Sequence, residues 1–162
     1  MLAVLAAAAA LSLAPQDGPT HKWLLIGMGE DSIFGADAGS VRREGDIAHI
    51  TGVVVEAAVT DGRRYYVTTT RFDCAARTGH VARIDTFGPD GAPLEVHQPE
   101  ADVDLGGRNS VLERQFNAAC SNDWPFDQAN EASALDFSRW AVRDVIDNGV
   151  LAQLNANARP GQ

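Results

Sequence analysis

Residues 47–72, IAHITGVVVEAAVTDGRRYYVTTTRF, decide the fold class. Val53, Val54, Val55 and Val59 in the first half, and Tyr65, Tyr66, Val67 and three threonines in the second, are the β-branched and aromatic residues that suit a pleated, half-buried surface. Between the halves stands Asp61-Gly62, the dipeptide favoured in two-residue hairpin turns because both positions tolerate a positive φ. The stretch therefore predicts two long antiparallel strands, 47–59 and 64–72. Working outward, 22–26 (with Trp23, Leu24, Leu25 and Ile26) reads as a strand, 27–31 as a turn and 32–36 as a second short strand. Residues 40–46 read as a further turn. A strand at 81–87, the turn Pro89-Asp90-Gly91 and a strand from 93 to 96 follow. Short connections throughout predict an antiparallel meander.

The second half changes period. Ser110 and Glu113 fit a capping box, and Leu112, Phe116, Ala119 and Cys120 follow on one helical face. Ser133 caps a last predicted helix to Asn148, with Gly149 as its stop. Phe137, Ala141, Val142 and Val145 share one half of its wheel, while Asp136, Arg139, Arg143 and Asp147 take the other. Trp140 falls on the polar half, which leaves two readings: a ring lying over the helix boundary, or a contact surface. Strands first and helices last predict an α+β fold, an antiparallel sheet with two C-terminal-half helices packed on one face. The expected organisation is one domain over 22–149, a linker over 15–21 and a polar tail over 150–162.

The chain has two cysteines, Cys74 at a strand end and Cys120 on the core face of a helix. They lack the C-x-x-C spacing of a redox pair, so a structural disulfide between them is expected. Residues 1–14 contain no charge and end in Ser12-Leu13-Ala14. As a helix that run would rise roughly 21 Å, short of a hydrocarbon core of about 30 Å. It reads as a signal peptide, although no Lys or Arg precedes it. The alternative, a buried N-terminal helix, would have no polar face to turn to water. Signal and disulfide together predict an exported protein, whether periplasmic, at the cell surface or secreted.

Twenty-two acidic residues stand against 13 basic ones, a net charge of -9. Such a surface repels nucleic acid and anionic lipid, and no second apolar stretch approaches the length of a membrane span. A protein partner is the class left open.

The order Trp23-x-x-Ile26-Gly27, Glu30-Asp31-Ser32-Ile33-Phe34-x-x-Asp37 and Ser40-Val41-Arg42-Arg43-x-Gly45, with Phe72-Asp73-Cys74 at a strand end and a helix from Ser110 to Cys120, resembles the surface-adhesin protein E-like family. The resemblance covers Trp23 to about Cys120. It implies a small exported bacterial domain with an antiparallel sheet, a helix and a disulfide. The family's named member adheres to host proteins, and no binding residue carries over to this sequence.

One local motif points to chemistry. Asp102, Asp104, Gly106 and Glu113 occupy the first, third, fifth and twelfth places of a calcium-type loop, with Gly107 at the sharp-turn position. Gly106 brings no side-chain oxygen to the fifth place, Asn109 stands where an apolar residue normally packs, and no entering helix precedes the loop. The expected reading is a polar loop leading to a capped helix, without a metal. Gly27-Met28-Gly29 lacks the third glycine and the following helix of a dinucleotide loop. His21, His49, His80 and His97 show no ligand spacing, and no nucleophile elbow is present, so no catalytic residue and no cofactor are expected. The reading is a non-enzymatic, envelope-associated or surface binding module. The alternative is a periplasmic hydrolase or a cation-binding protein whose site is assembled by the fold.

Overall fold

Leu24, Leu25 and Ile26 are all buried in strand β1, Trp23–Met28, and this unbroken apolar run is explained by a sheet covered on both faces. The computed structural model describes residues 21–99, 101–107, 110–125, 131–151 and 153. The expected signal peptide, nearly all of the linker and most of the expected tail lie outside the described residues. After β1 come β2 (Ser32–Glu44), β3 (Ile47–Thr60), β4 (Arg63–Asp73), β5 (Thr78–Phe87), β6 (Pro93–His97) and β7 (Ala101–Val103). Helices α1 (Val111–Ser121) and α2 (Ala134–Trp140) follow, and α2 runs into a π-helical segment, Ala141–Ile146. The seven strands form one antiparallel sheet in the order β1-β2-β3-β4-β5-β6, and β7 joins β5 beside β6. The fold is α+β, with the expected meander at its centre. Asp61 and Gly62 both take positive φ at the β3–β4 turn.

Ladder register divides the side chains into two faces. On one, the row Leu25–Gly35–Val53–Val67 lies beside Ile33–Val55–Tyr65. These residues share a core with Phe137, Ala141, Val145 and Leu151. On the other, the row Ala36–Gly52–Thr68–Ile84 lies beside Ile50–Thr70–Val81. Ala36 and Ile50 share the second core with Phe72, Phe116, Ala118 and Ala119. The two glycines mark the two sides: a Cβ on Gly35 would meet the Phe137 ring, and a Cβ on Gly52 would meet Gln115 of α1. The helices thus cover opposite faces, which corrects the expectation that both pack on one. Helical periodicity tells which side of a helix is apolar, but not which face of a doubly buried sheet receives it.

Of the expected turn at 40–46, residues 40–44 are strand and only 45–46 turn. Pairing breaks between Asp37 and Arg42, and Ser40 spans the break. Its hydroxyl donates to the Asp37 carbonyl at 2.7 Å and accepts from the Thr51 amide at 2.8 Å, replacing ladder bonds. Gly45, with φ of 61°, and Asp46 make the turn. Asp37 itself is fully buried, and its carboxyl accepts from the Lys22 and Gly39 amides and contacts His21.

Both predicted N-caps are present: Ser110 accepts from the Glu113 amide and Ser133 from the Asp136 amide. The predicted helix over 133–148 divides into α2 and the π-helical segment, where Asp147 N–H donates to the Val142 carbonyl. The wider turn shifts the wheel drawn at ordinary α spacing. Trp140 is partly buried against the Phe137 ring, 5.4 Å between centroids, so it lies over the helix boundary. Leu151 is buried, and packing therefore continues past Gly149 into the start of the expected tail. Cys74 and Cys120 form the expected disulfide, with Cα atoms 5.6 Å apart. Beside it, Arg43 of β2 donates both guanidinium arms to the Ala119 carbonyl, a second tie between sheet and helix end.

Candidate functional site

Helix α1 leaves part of its sheet face uncovered. Gly52 sits mid-strand in central β3, where a side chain would weaken no turn but would fill space. A Cβ there would stand 2.6 Å from Nε2 of Gln115 and 2.9 Å from Oγ1 of Thr68. Beside this gap opens a cleft of about 300 Å³ between α1 and strands β1 to β5, reaching Val103 of β7. Its walls come from Ile26, Phe34, Val54, Val81, Val103 and Leu112, with Thr68, Thr70 and Gln115 as polar members. None of the residues lining it is ionisable. The volume equals roughly ten waters at about 30 Å³ each and falls at the lower end of small-molecule sites.

Gln115 is the unusual wall residue. It is 4 % exposed, and its amide makes no hydrogen bond among the described residues. Gln115 lies on the sheet-facing side of α1 with Phe116, Ala118 and Ala119. The cap at Ser110, the hydroxyl of which also donates to the Leu105 carbonyl, fixes where that helix begins. Arg114 holds it to β1 through the Ile26 carbonyl at 3.2 Å.

A second, more open hollow of about 440 Å³ continues along the same face, sharing Val54 and Thr68 with the cleft. Tyr66, Thr86, Ile84, Arg63 and His97 line it. Tyr66 donates its hydroxyl to Oε1 of Glu56 at 2.7 Å, while Oε2 of Glu56 is buried with no partner among the described residues. Burial first, and then the bond to Glu56, push the Tyr66 phenol above its ordinary value. Tyr66 thus stays protonated at neutral pH and serves as a donor rather than a base. Arg63 and His97 face acidic neighbours of their own, Asp61 and Glu95.

The residues of the calcium-type motif go elsewhere. Asp102 lies on β7, exposed, and its carboxyl contacts His80 at 3.1 Å. Asp104 closes a local turn by accepting from the Gly106 amide at 3.0 Å. Glu113, half-buried on α1, pairs with Arg77 at 2.7 Å, and Arg77 also lies over the Phe116 ring. Three carboxyls that would have to converge on one ion are each engaged by a different neighbour. Among the described residues, no three His, Cys, Asp or Glu side chains are grouped to hold a metal. Gly27-Met28-Gly29 leads into a tight turn closed by Gly29 N–H on the Ser32 carbonyl.

No sequence motif marks Gln115, Tyr66 or Glu56 as a site residue. A glycine amid the valines of a central strand was the one available signal, since such a glycine marks a close approach. Nothing in α1's sequence separates Gln115 from a surface glutamine until the register of β3 is known. Compared with protein-family models, curated proteins and solved structures, the chain matches none.

Proposed function

We propose that this protein is an exported binding module that holds a small molecule in the cleft between α1 and the sheet. The observation that carries the reading is an uncharged wall of apolar residues and two threonines, on which the Gln115 amide finds no partner among the described residues. Apolar walls with a few placed polar groups are the composition of ligand sites. The disulfide supports export, because such bonds persist in oxidising compartments. The resemblance to the surface-adhesin protein E-like family agrees with a binding role outside the cytoplasm. Among the described residues no helix is long and apolar enough to cross a membrane.

The test is a fluorescence titration with N-phenyl-1-naphthylamine, a two-ring apolar probe that brightens when it leaves water. The cleft reading expects saturable binding to the disulfide-bonded protein at one site per chain. A linear, non-saturating signal would overturn it. Intact mass of protein recovered from the exported fraction tests the address: the expected mass lacks residues 1–14, and retention of Met1 would contradict it.

A further inference from the structure

Resting on that reading, we infer that the cleft selects an uncharged, mainly apolar molecule carrying a single hydrogen-bonding group, and that Gln115 is the residue that reads this group.

Charge is excluded by the wall. No ionisable residue lines the cleft, so a charged ligand group inside it would lose its water without gaining a counter-ion. Arg114, beside Gln115, is engaged by the Ile26 carbonyl, and Arg63 and His97, at the outer hollow, face Asp61 and Glu95. The single polar group follows from Gln115. Its amide offers a donor and an acceptor at the cleft wall, on a residue 96 % out of solvent, and finds no partner among the described residues. A ligand carbonyl, hydroxyl or N–H placed against it would satisfy what the fold leaves open. Discrimination of this kind is steep, because a ligand lacking the group leaves the amide unpaired. Gly52 sets the space: any side chain there meets Gln115 and Thr68 at the cleft wall and competes for the same volume.

Three probes on one carbon skeleton separate these statements. N-phenyl-1-naphthylamine is neutral with one N–H; 8-anilino-1-naphthalenesulfonate adds a negative charge; 1-benzylnaphthalene, measured by competition, replaces the N–H with CH2. Wild-type protein should bind the neutral amine at least about tenfold more tightly than the sulfonate. Gln115→Leu should weaken the amine by about tenfold and leave 1-benzylnaphthalene within about twofold. Gly52→Val should abolish binding of all three, with circular dichroism and the intact disulfide showing that it folds; if it does not fold, Leu112→Trp at the half-buried cleft wall takes its place. If the sulfonate binds as well as the amine, or Gln115→Leu weakens both neutral probes equally, the inference is overturned while the cleft reading survives. If the folded cleft-filling variant binds the amine as wild type does, the cleft reading fails and the inference falls with it.

Discussion

Gly35→Ala is the substitution that most sharply separates a sheet covered on both faces from one covered on a single face. Gly35 pairs with Leu25 and Val53 in the middle of the sheet. A Cβ there would lie 2.6, 2.8 and 2.9 Å from three atoms of the Phe137 ring. Phe137 is fully buried and packed against Trp140, so the ring cannot swing clear. Overpacking of this kind costs about 1–3 kcal/mol. Replacing a strand glycine by alanine returns about 0.5–1 kcal/mol of backbone entropy. The difference spans about 0–2.5 kcal/mol, and three contacts under 3 Å place the expected net loss in its upper half. Gly52→Ala makes an equally short contact, 2.6 Å, but against the end of the flexible Gln115 side chain, with one further contact of 2.9 Å to Oγ1 of Thr68. It should cost less, under about 1 kcal/mol. Urea unfolding of both variants measures the difference, with the midpoint shift read at constant slope. Adding Phe137→Leu to Gly35→Ala should recover part of the loss, a coupling of about 0.5 kcal/mol or more. Gly35→Ala as stable as wild type, or a loss unchanged by Phe137→Leu, would refute the placement of α2 on this face.

Other outcomes follow from single contacts. The disulfide closes a loop of 46 positions, which chain entropy values at roughly 4 kcal/mol, so Cys120→Ala should lower urea stability by about 2–5 kcal/mol, and thiol labelling of the unreduced, denatured wild type should find no free cysteine. Tyr66 has a folded-state value raised above its unfolded one, so its contribution is full below about pH 10 and is lost as pH rises through the folded value; Tyr66→Phe should flatten the alkaline fall in melting temperature, and an unchanged profile would contradict the buried bond to Glu56. Melting temperatures in calcium and in chelator should coincide, because Asp102 and Glu113 are held by His80 and Arg77; a stabilisation near 2.7 kcal/mol at a hundred times the dissociation constant, absent in Glu113→Gln, would establish a calcium site instead.

What could be read from the residues was what is local. The β3–β4 hairpin follows from Asp61-Gly62 and the residues flanking it, both N-caps from serine three places before an acid, and the disulfide from strand-end and helix-face positions. What escaped depends on partners distant in the chain. Residues 40–44 look like a turn until Ser40 is seen bonding Asp37 and Thr51 across the sheet. Strand β7 exists only through its pairing with Gly79, His80 and Val81. Coverage of both faces did leave a trace, in the consecutive apolar residues at 23–26 and 53–55, which suit a strand buried on two sides. The cleft left less, because Gly52 and Gln115 acquire meaning only when α1 is laid across β3.

A crystal structure of the protein with N-phenyl-1-naphthylamine would show whether the space beside Gly52 binds a neutral molecule. The probe's rings should lie against Val54 and Leu112 beneath α1, with its N–H on the Gln115 side chain. A probe seated instead on the exposed β6 edge, over Leu94 and Val96, with the cleft unoccupied, would contradict it.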